Sequence, residues 1–409
     1  MDNFSFITYH SLAQNLPFIK LCDDVFVAFE ERSESFSYKA LFSPILYVKI
    51  GESLSRRRIK MRTFDYSKLQ NCTLDTEILG FISKIREYKG RQELFVHQKK
   101  DKLDKLVEIA KIQSTESSNK IEGIVTTELR IKQLVADKTT PRNRDEKEIM
   151  GYRDVLNIIH ENFEYIPISS NYILQLHKYL YQYASPDFGG KFKNVQNYIV
   201  ATMPDGSSRT LFTPLTPVET PEAVQELCET FNRAMDLGEI EPLLLIANFI
   251  KDFLCIHPFN DGNGRMSRLL TTLLLYRSGF VVCKYISLEK KIEKTKDTYY
   301  DVLEASSENW NENTNDNTPF VKYLLGIILS AYRDFEERLK LIDEKLSATE
   351  TIEKVIKNRI GKFTKSDIQE ECPALARQTI EKAIKGLCDT GKIEKKGSGR
   401  TTYYVCKDL

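Results

Sequence analysis

The segment of residues 257–268 concentrates side chains that could act on a phosphate ester. It reads His-Pro-Phe-Asn-Asp-Gly-Asn-Gly-Arg-Met-Ser-Arg. It offers one titratable base (His257), one carboxylate (Asp261) and two arginines three positions apart, Arg265 and Arg268. Residues at that spacing share a helix face. A base, a carboxylate suited to hold a metal ion, and fixed positive charge together predict transfer chemistry on a phosphate ester.

Two apolar helical runs must position these residues, Pro242–Ile256 before them and residues 269–278 after them. Because a proline disfavours the α conformation in the residue before it, Pro258 predicts that the first helix ends at His257. The two glycines permit backbone angles that other residues avoid. Where such a loop enters a helix, successive N–H groups form an anion cradle, aided by the helix dipole. The segment is therefore predicted to bind an anion.

Composition and motifs exclude several other classes of function. The 409 residues carry 59 Lys and Arg against 58 Asp and Glu, a net charge of +1, which does not indicate a general nucleic-acid or membrane-surface protein. Eight cysteines without a Cys-x-x-Cys pair indicate reduced thiols of a cytoplasmic protein. No signal peptide and no apolar run of bilayer length are expected. An EF-hand is excluded because Thr272 stands where its glutamate is needed, and no Walker A loop or dinucleotide fingerprint occurs.

The segment resembles, at every specified position, the signature of Fic-domain proteins, His-Pro-Phe-x-(Asp or Glu)-Gly-Asn-Gly-Arg-x-x-Arg. The resemblance covers roughly residues 74–345. It implies a mainly α fold, a Fic-type helical bundle with a β-hairpin flap. The residue pattern also predicts a small N-terminal α/β region and a C-terminal winged helix.

The resemblance also implies a protein adenylyltransferase that moves AMP from ATP to a Ser, Thr or Tyr hydroxyl of a protein. His257 is then the general base, since an imidazole titrating near neutrality suits that task. Asp261 holds Mg²⁺. The loop backbone and the Asn263 side chain stabilise the phosphates, the two arginines bind pyrophosphate, and Phe259 anchors His257. The expected nucleotide site comprises Asp261, Gly262, Asn263, Gly264, Arg265, Met266, Ser267, Arg268, Tyr299 and Tyr300.

A second motif lies upstream, where Ser118-x-x-x-Glu122-Gly123 resembles the family's inhibitory motif, (Ser or Thr)-x-x-x-Glu-(Gly or Asn). Gly123 is a plausible helix terminator. A glutamate that reaches Arg268 forms a charge-assisted pair and takes the place of the γ-phosphate. The nucleotide then binds with its α-phosphate misplaced. Glu122 is therefore predicted to autoinhibit the enzyme.

Two further segments complete the predicted site. Strands at residues 195–200 and 210–213, around a turn at residues 203–207, resemble the flap that holds the protein substrate by strand addition. Lys193 precedes them, where many relatives have arginine. Tyr299 and Tyr300 resemble the tyrosine pair that lines the family's adenine pocket, and Ser307 stands where relatives often have asparagine. His160 and His177 are predicted to be packing or surface residues.

The chain divides into four predicted parts: residues 1–70 of unclear role, a helical region 71–147 with the inhibitory motif, a catalytic core 148–346, and a winged-helix-like part 347–409. Helical periodicity predicts helices at residues 73–85, 101–119, 128 onward, 145–162, 169–180, 217–238 and 319–346, then at 349–358, 364–372 and 376–390 before a hairpin at 391–406. Short strands are predicted at 25–29 and 45–50, with a basic cluster at 56–62.

Alternatives remain open. The same site could run in reverse, with Glu122 positioning a water that removes AMP from a modified protein. The donor could be another nucleotide. Residues 347–409 hold 13 Lys and Arg against 9 Asp and Glu, a net of +4, which suits either DNA phosphates or a protein partner. A homo-oligomer is also allowed.

Overall fold

The computed structural model describes residues 62–70, 75–98, 100–202, 207–343, 347–357, 359, 361–373 and 375–407. The strands predicted at 25–29 and 45–50 lie outside these residues, as do most of the basic cluster and of the turn at 203–207. Within them the fold is mainly helical with two small hairpins, as predicted. The central helices are α1 (Thr76–Gln98), α2 (Lys100–Ile121), α3 (Glu128–Val135), α4 (Arg144–Asn162), α5 (Ser170–Leu180), α6 (Thr220–Leu237), α7 (Pro242–Ile256), α8 (Asn263–Arg277), α9 (Leu288–Lys294), α10 (Lys296–Ser307) and α11 (Thr318–Asp343).

Helix α7 is the core of the bundle. Every one of its residues after Pro242 is buried, and all of these except Asn248, Lys251 and Asp252 are apolar, which is typical of a helix at the centre of a core. Helices α6, α8, α10 and α11 pack around it. Its bounds follow from local chemistry, because Pro242 occupies the first turn and the residue before Pro258 ends it. The end of α7 therefore fixes the position of His257, the residue that follows the helix.

Helix α2 carries the inhibitory motif at its carboxyl end. It packs against α4 and α9 and touches α8. Gly123 follows the helix with φ +81°, a left-handed conformation that favours glycine and ends the helix as predicted. The next helix, α3, begins after Thr127, whose side chain accepts a hydrogen bond from the Arg130 N–H. The inhibitory motif is thus held by the core helices on one side and by the turn that leads into α3 on the other.

The predicted flap is an antiparallel hairpin of β1 (Ile199–Thr202) and β2 (Ser208–Phe212). Its first strand begins four residues later than the predicted start at 195. The reason is that the preceding side chains are bound elsewhere: Lys193 and Asn197 donate hydrogen bonds to the turn that follows α7. A chain committed to that turn cannot pair as a strand.

Residues 348–406 form a unit with its own apolar core. Its elements are α12 (Ala348–Lys357), α13 (Lys365–Glu371), α14 (Arg377–Asp389), β3 (Ile393–Lys396) and β4 (Tyr403–Cys406), the order expected of a winged helix. Two lysines of the hairpin predicted at 391–406 are already paired, since Lys392 Nζ lies 2.7 Å from Glu353 Oε1 and Lys396 Nζ lies 3.8 Å from Glu394 Oε2. DNA binding by this unit stays a prediction.

Two absences hold for the described part of the chain. None of its helices is long and apolar enough to cross a membrane. The cysteines described there are free thiols, of which Cys228, Cys255, Cys283 and Cys372 are buried. Cys22 and Cys72 lie outside the described residues.

Candidate active site

His257 adopts an unusual backbone conformation at the end of α7. Its φ of 50° and ψ of 62° are left-handed, which costs a non-glycine residue of order 1–3 kcal/mol. The neighbouring segment holds it there. Asn197 Nδ2 donates to the carbonyl oxygens of His257 (3.3 Å) and Phe259 (3.0 Å), and the Lys193 N–H donates to that of Pro258 (2.9 Å). The turn is therefore imposed by its surroundings.

The imidazole of His257 is oriented by one hydrogen bond. Its Nδ1 lies 3.3 Å from the Leu254 carbonyl oxygen. Because a carbonyl oxygen only accepts, Nδ1 carries the proton and Nε2 keeps its lone pair. Burial, together with the Lys193 cation, lowers the pKa of His257 from 6.5 to about 4. This differs from the near-neutral titration expected from the residue type, because the ring is enclosed. A neutral base faces the cleft at physiological pH.

Lys193, a residue of the predicted flap, turns out to be buried beneath this turn. Its Nζ donates to the Ile256 carbonyl oxygen and to Asn197 Oδ1, both at 3.0 Å. Burial lowers its pKa to about 7. It acts on the turn at His257 and not on a substrate held by the hairpin.

His177 braces the loop from the other side, a role that sequence reasoning missed. Its ring stacks on Phe259 with centroids 3.7 Å apart, so Phe259 is the anchor expected of it. The Gly190 N–H donates to its Nδ1 at 3.0 Å, so Nε2 bears the proton and donates to the Asp261 carbonyl oxygen at 3.1 Å. The sequence around His177 does not indicate this role, because the residue lies among apolar residues at helical spacing, as a packing residue would. His177 is a packing residue as well.

The loop enters α8 through Gly262, whose φ of 83° suits glycine. Helix α8 begins at Asn263, six residues before its apolar run. The first N–H groups of a helix have no partner within it and point outward with the positive end of the dipole. The Asn263 side chain shapes the loop, because its Oδ1 accepts from the Phe259 N–H (2.9 Å) and its Nδ2 donates to the Phe259 carbonyl (2.7 Å). Asn263 also lines the cleft, and its predicted contact with phosphate stays a prediction.

Arg268 and Glu122 meet at this cradle. Arg268 Nη2 lies 2.7 Å from Glu122 Oε1, and the guanidinium also donates to Ser118 Oγ (2.8 Å) and the Ser118 carbonyl (2.9 Å). The side chain of Arg268 is 4% exposed and that of Glu122 is 30% exposed. The carboxylate lies so close to Gly264 that a Cβ there would clash with it. The negatively charged carboxylate of Glu122 thus lies in front of the N–H groups that form the anion cradle.

Arg265 does not line the cleft, and its predicted contact with pyrophosphate stays a prediction. Its side chain is 1% exposed, with Nη1 2.8 Å from Glu148 Oε2 and Nη2 donating to the Tyr181 hydroxyl at 2.7 Å. Met266 and Ser267 are also buried, and neither they nor Arg265 line the cleft. These three residues of the expected nucleotide site face the bundle because they lie on the inner side of α8.

The remaining predicted residues surround one cleft of about 980 Å³, open mouth included, which is within the size range of small-molecule sites. Its polar end holds Glu122, His257, Arg268 and the loop Asp261–Gly264, and Tyr299 and Tyr300 lie beside them. The walls beyond are residues of β1, β2 and α10, and α7 supplies Lys251, Leu254 and Cys255. A nucleotide with its phosphates at α8 fits this division into a polar and an apolar end.

The side chains that could act as metal ligands suit Mg²⁺. They do not suit a metal ion that takes most of its ligands from the protein. The side chain of Asp261 is 46% exposed and lines the cleft. The described residues contain no group of three His, Cys, Asp or Glu side chains that could hold a metal ion. Mg²⁺ is commonly held by one or two carboxylates together with water and substrate phosphates. Asp261 meets that requirement, because its carboxylate is half-exposed beside the phosphate cradle and its Oδ1 accepts one hydrogen bond, from the Gly262 N–H at 2.6 Å.

Residues 167–275 match the Fic/DOC family. This part of the chain is similar to a Fic domain. The match includes the loop of His257 and both helices around it, whereas Glu122 lies before it. The helical architecture is also that of a Fic family protein from Desulfovibrio desulfuricans, with a TM-score of 0.55 and 20% identity over 83% of this chain and 98% of that one.

Two curated relatives carry adenylyltransferase names. "Protein adenylyltransferase fic-1" of Caenorhabditis elegans is 28% identical over 184 residues, 44% of this chain and 32% of that protein. "Protein adenylyltransferase Fic" of Nematostella vectensis is 22% identical over 308 residues, 69% of this chain and 65% of that protein. The chain therefore spans less than two thirds of the length of either relative.

Proposed function

We propose that this chain is a nucleotidyltransferase that moves AMP from ATP to a Ser, Thr or Tyr hydroxyl of a protein. The observation that carries the proposal is the neutral imidazole of His257, with the Nε2 lone pair free, beside the glycine-capped start of α8. A base and an anion cradle that share one cleft are the parts needed to join a hydroxyl to a phosphate. The names of the relatives support the same activity.

The reaction requires these residues to remove a proton and to hold the phosphates. His257 Nε2 takes the proton of the hydroxyl as its oxygen attacks the α-phosphorus. The bond from that phosphorus to the bridging oxygen breaks, and pyrophosphate leaves with its electron pair. The N–H groups at the start of α8, together with Arg268, hold the β- and γ-phosphates so that the leaving oxygen lies opposite the attacking one.

A magnesium ion held by Asp261 and the phosphates would neutralise the charge that develops on the departing pyrophosphate. The residues of the protein position both partners. Asn263 fixes the loop by binding Phe259 on both sides, and His177 fixes Asp261 through its backbone. Each bond reduces the freedom of a group that would contact the nucleotide, which is how a positioned site gains rate.

The protein substrate is proposed to bind along the hairpin. Strands β1 and β2 form a two-stranded sheet within the described residues, so each has an outer edge that no other described strand pairs with. An extended peptide can pair with such an edge through its backbone, which needs little side-chain specificity. Residues of both strands line the cleft, so a bound peptide would present its hydroxyl beside His257.

Glu122 is proposed to inhibit this activity. Its carboxylate pairs with Arg268 and lies against Gly264, the place that the terminal phosphate of the productive pose would need. A bound ATP would then have to shift its phosphates, and with them the α-phosphorus, away from His257. The charge-assisted pair supports the proposal because a phosphate and a carboxylate compete for the same cation.

The test compares Glu122→Gly with Glu122→Gly/His257→Ala after incubation with ATP and Mg²⁺. We expect AMP adducts on the first protein by mass spectrometry, and a rate about 10²–10⁴-fold lower for the second, the usual effect of losing a catalytic base. Both should bind ATP similarly in calorimetry. Equal adduct formation by the two proteins would remove His257 from the reaction.

A second candidate uses the same cleft in reverse, with Glu122 positioning a water that removes AMP from a modified protein. It is favoured by the place of Glu122, whose carboxylate lines the same cleft as His257. The two directions separate when an AMP-modified protein is incubated with this chain and Mg²⁺ without ATP. Release of AMP that Glu122→Gln abolishes would establish the hydrolytic direction.

A further inference from the structure

The short helix α9 has no part in the proposed reaction, yet it joins the inhibitory helix α2 to the C-terminal unit, residues 348–406. Two adjacent residues at its end bind different neighbours. Glu293 binds α2, since its Oε2 accepts from Ser117 Oγ and its Oε1 pairs with Lys120 Nζ, both at 2.7 Å. Lys294 pairs with Glu370 of α13, in the C-terminal unit. One turn of α9 therefore contacts both parts of the molecule.

Glu293 holds the part of α2 that carries the inhibitory motif. Its two partners on α2, Ser117 and Lys120, lie five and two residues before Glu122. Side chains three positions apart share a face of a helix, so one carboxylate can hold both. Residues 117–122 span less than two helical turns, over which the hydrogen-bonded backbone moves together. A displacement of α9 would therefore move Glu122 relative to the anion cradle.

The C-terminal unit adds to the charge at this point. Hydrogen bonding to Glu293 raises the pKa of Lys120, and the charge of Glu370 contributes to that shift. The side chains of Lys294 and Glu370 are 54% and 41% exposed. An ion pair this exposed contributes little free energy and is screened by salt. The C-terminal unit can therefore release α9 without a large cost.

The boundary between α9 and the C-terminal unit is polar. A cleft of about 1770 Å³, open mouth included, lies between α9 and α11 on one side and α12 and α13 on the other, and most of the residues that line it are charged. The apolar core of the C-terminal unit is separate from that of the helical bundle. A polar interface within one chain permits its two parts to move relative to each other.

We propose that the C-terminal unit strengthens the autoinhibition of the site. While Glu370 holds Lys294, α9 holds α2 and keeps Glu122 at the anion cradle. This regulation rests on the proposed function. When the C-terminal unit separates from α9, the end of α2 loosens and the phosphates of ATP displace Glu122 more often. Because coupling between two sites is reciprocal, productively bound ATP in turn favours the separated arrangement.

The experiment reverses the charge of Lys294 in the full chain and follows α2 by hydrogen exchange and mass spectrometry. Lys294→Glu sets a carboxylate against Glu370, so peptides that cover residues 113–123 should exchange faster than in the parent. The double variant Lys294→Glu/Glu370→Lys restores a pair of opposite charges and should return the exchange toward that of the parent. Lys340→Glu is the matched control, because Lys340 lines the same cleft but pairs with Glu336 of its own helix. It should leave the exchange of α2 unchanged.

AMP self-modification with ATP and Mg²⁺ gives a second measurement. Lys294→Glu should raise the initial rate about 2–10-fold, the effect of replacing one exposed ion pair by a contact between like charges. The same change in the Glu122→Gly protein should have no effect, since the group that α9 positions is then absent. This failure of additivity distinguishes a link through Glu122 from a general disturbance of the fold.

Several results would overturn the coupling: unchanged exchange of residues 113–123 in Lys294→Glu, faster exchange that the double variant does not reverse, or equal stimulation of the Glu122→Gly protein. An unchanged rate of adduct formation in an active Lys294→Glu protein would do the same. If the exchange responds as expected but Glu122→Gly forms no AMP adducts, the C-terminal unit is linked to α2 and the proposed function fails. If adducts form and the exchange does not respond, the proposed function stands without this regulation.

Discussion

Replacing Glu122 by glutamine is the sharpest test of autoinhibition, because it removes the charge and keeps the shape. Glu122 Oε1 lies 2.7 Å from Arg268 Nη2. Arg268 keeps its hydrogen bonds to Ser118 Oγ and the Ser118 carbonyl in the variant. The guanidinium should therefore stay in place, while its N–H that faces the cleft pairs with a neutral amide oxygen, which a phosphate displaces more readily than it displaces a carboxylate.

The size of the effect follows from the burial of the pair. A hydrogen bond to a charged group contributes about 1.5–3 kcal/mol, whereas an exposed ion pair contributes about 0.2–1 kcal/mol. Arg268 is buried but Glu122 is 30% exposed, so a value of about 1–2 kcal/mol is reasonable. Since 1.4 kcal/mol is a factor of ten, Glu122→Gln should raise AMP self-modification about 5–30-fold at subsaturating ATP. Glu122→Gly should exceed it because it also clears the space over Gly264.

The assay is the initial rate of label incorporation from ATP labelled at the α-phosphate. Glu108→Gln is the matched control, since Glu108 lies on the same helix and is exposed. It should behave as the parent. A folded Glu122→Gln protein with no more activity than the parent would show that the pair with Arg268 does not limit the reaction. Circular dichroism on the same samples checks that the variant is folded.

Two further predictions concern Arg265 and His257. Arg265→Met should lower the free energy of unfolding by about 3 kcal/mol in urea titrations, because it breaks a buried pair with Glu148, while the folded protein still binds ATP. A loss of ATP binding with unchanged stability would restore Arg265 to the nucleotide site. The kcat/KM of the Glu122→Gly protein should stay constant from about pH 8 down to pH 5 and fall as pH drops through about 4, because His257 acts as a base only when neutral and its pKa is lowered to about 4. An acid limb near 6.5 would mean that the ring is not enclosed during the reaction.

The ends of a helix could be predicted from the sequence where a proline or a capping side chain determines them. Pro242 and Pro258 mark both ends of α7, and Thr127 and Ser169 cap the helices that follow them. The start of α8 was predicted late because hydrophobic periodicity begins only at Leu269, whereas its first turn is polar. A pattern of apolar residues cannot detect a turn whose purpose is to leave N–H groups facing a ligand.

The sequence predicted which residues belong to the candidate site, but not the directions in which their side chains point. A spacing of three residues turns a helix by about 300°, which leaves Arg265 and Arg268 roughly 60° apart around α8. That difference is enough to send one guanidinium to Glu148 inside the bundle and the other to the cleft. Which of the two turns inward depends on the neighbours of α8, and these come from distant parts of the chain. The same is true of His177 and Asn197, which support the loop across 60 residues or more.

The proposed inhibition and the proposed activity depend on one electrostatic feature, the positive start of α8 with Arg268 beside it. A carboxylate and a phosphate are both attracted there, so a change in the cradle that repels Glu122 should repel ATP as well. Gly264 illustrates the constraint, since a side chain at this position would displace the carboxylate and also fill the space that the phosphates need. Selective release of the enzyme must therefore act on α2, the helix that carries Glu122, and not on the loop. The contacts that hold the end of α2 are suited to this, because Glu293 of α9 binds Ser117 and Lys120, which lie five and two residues before Glu122 and do not line the cleft.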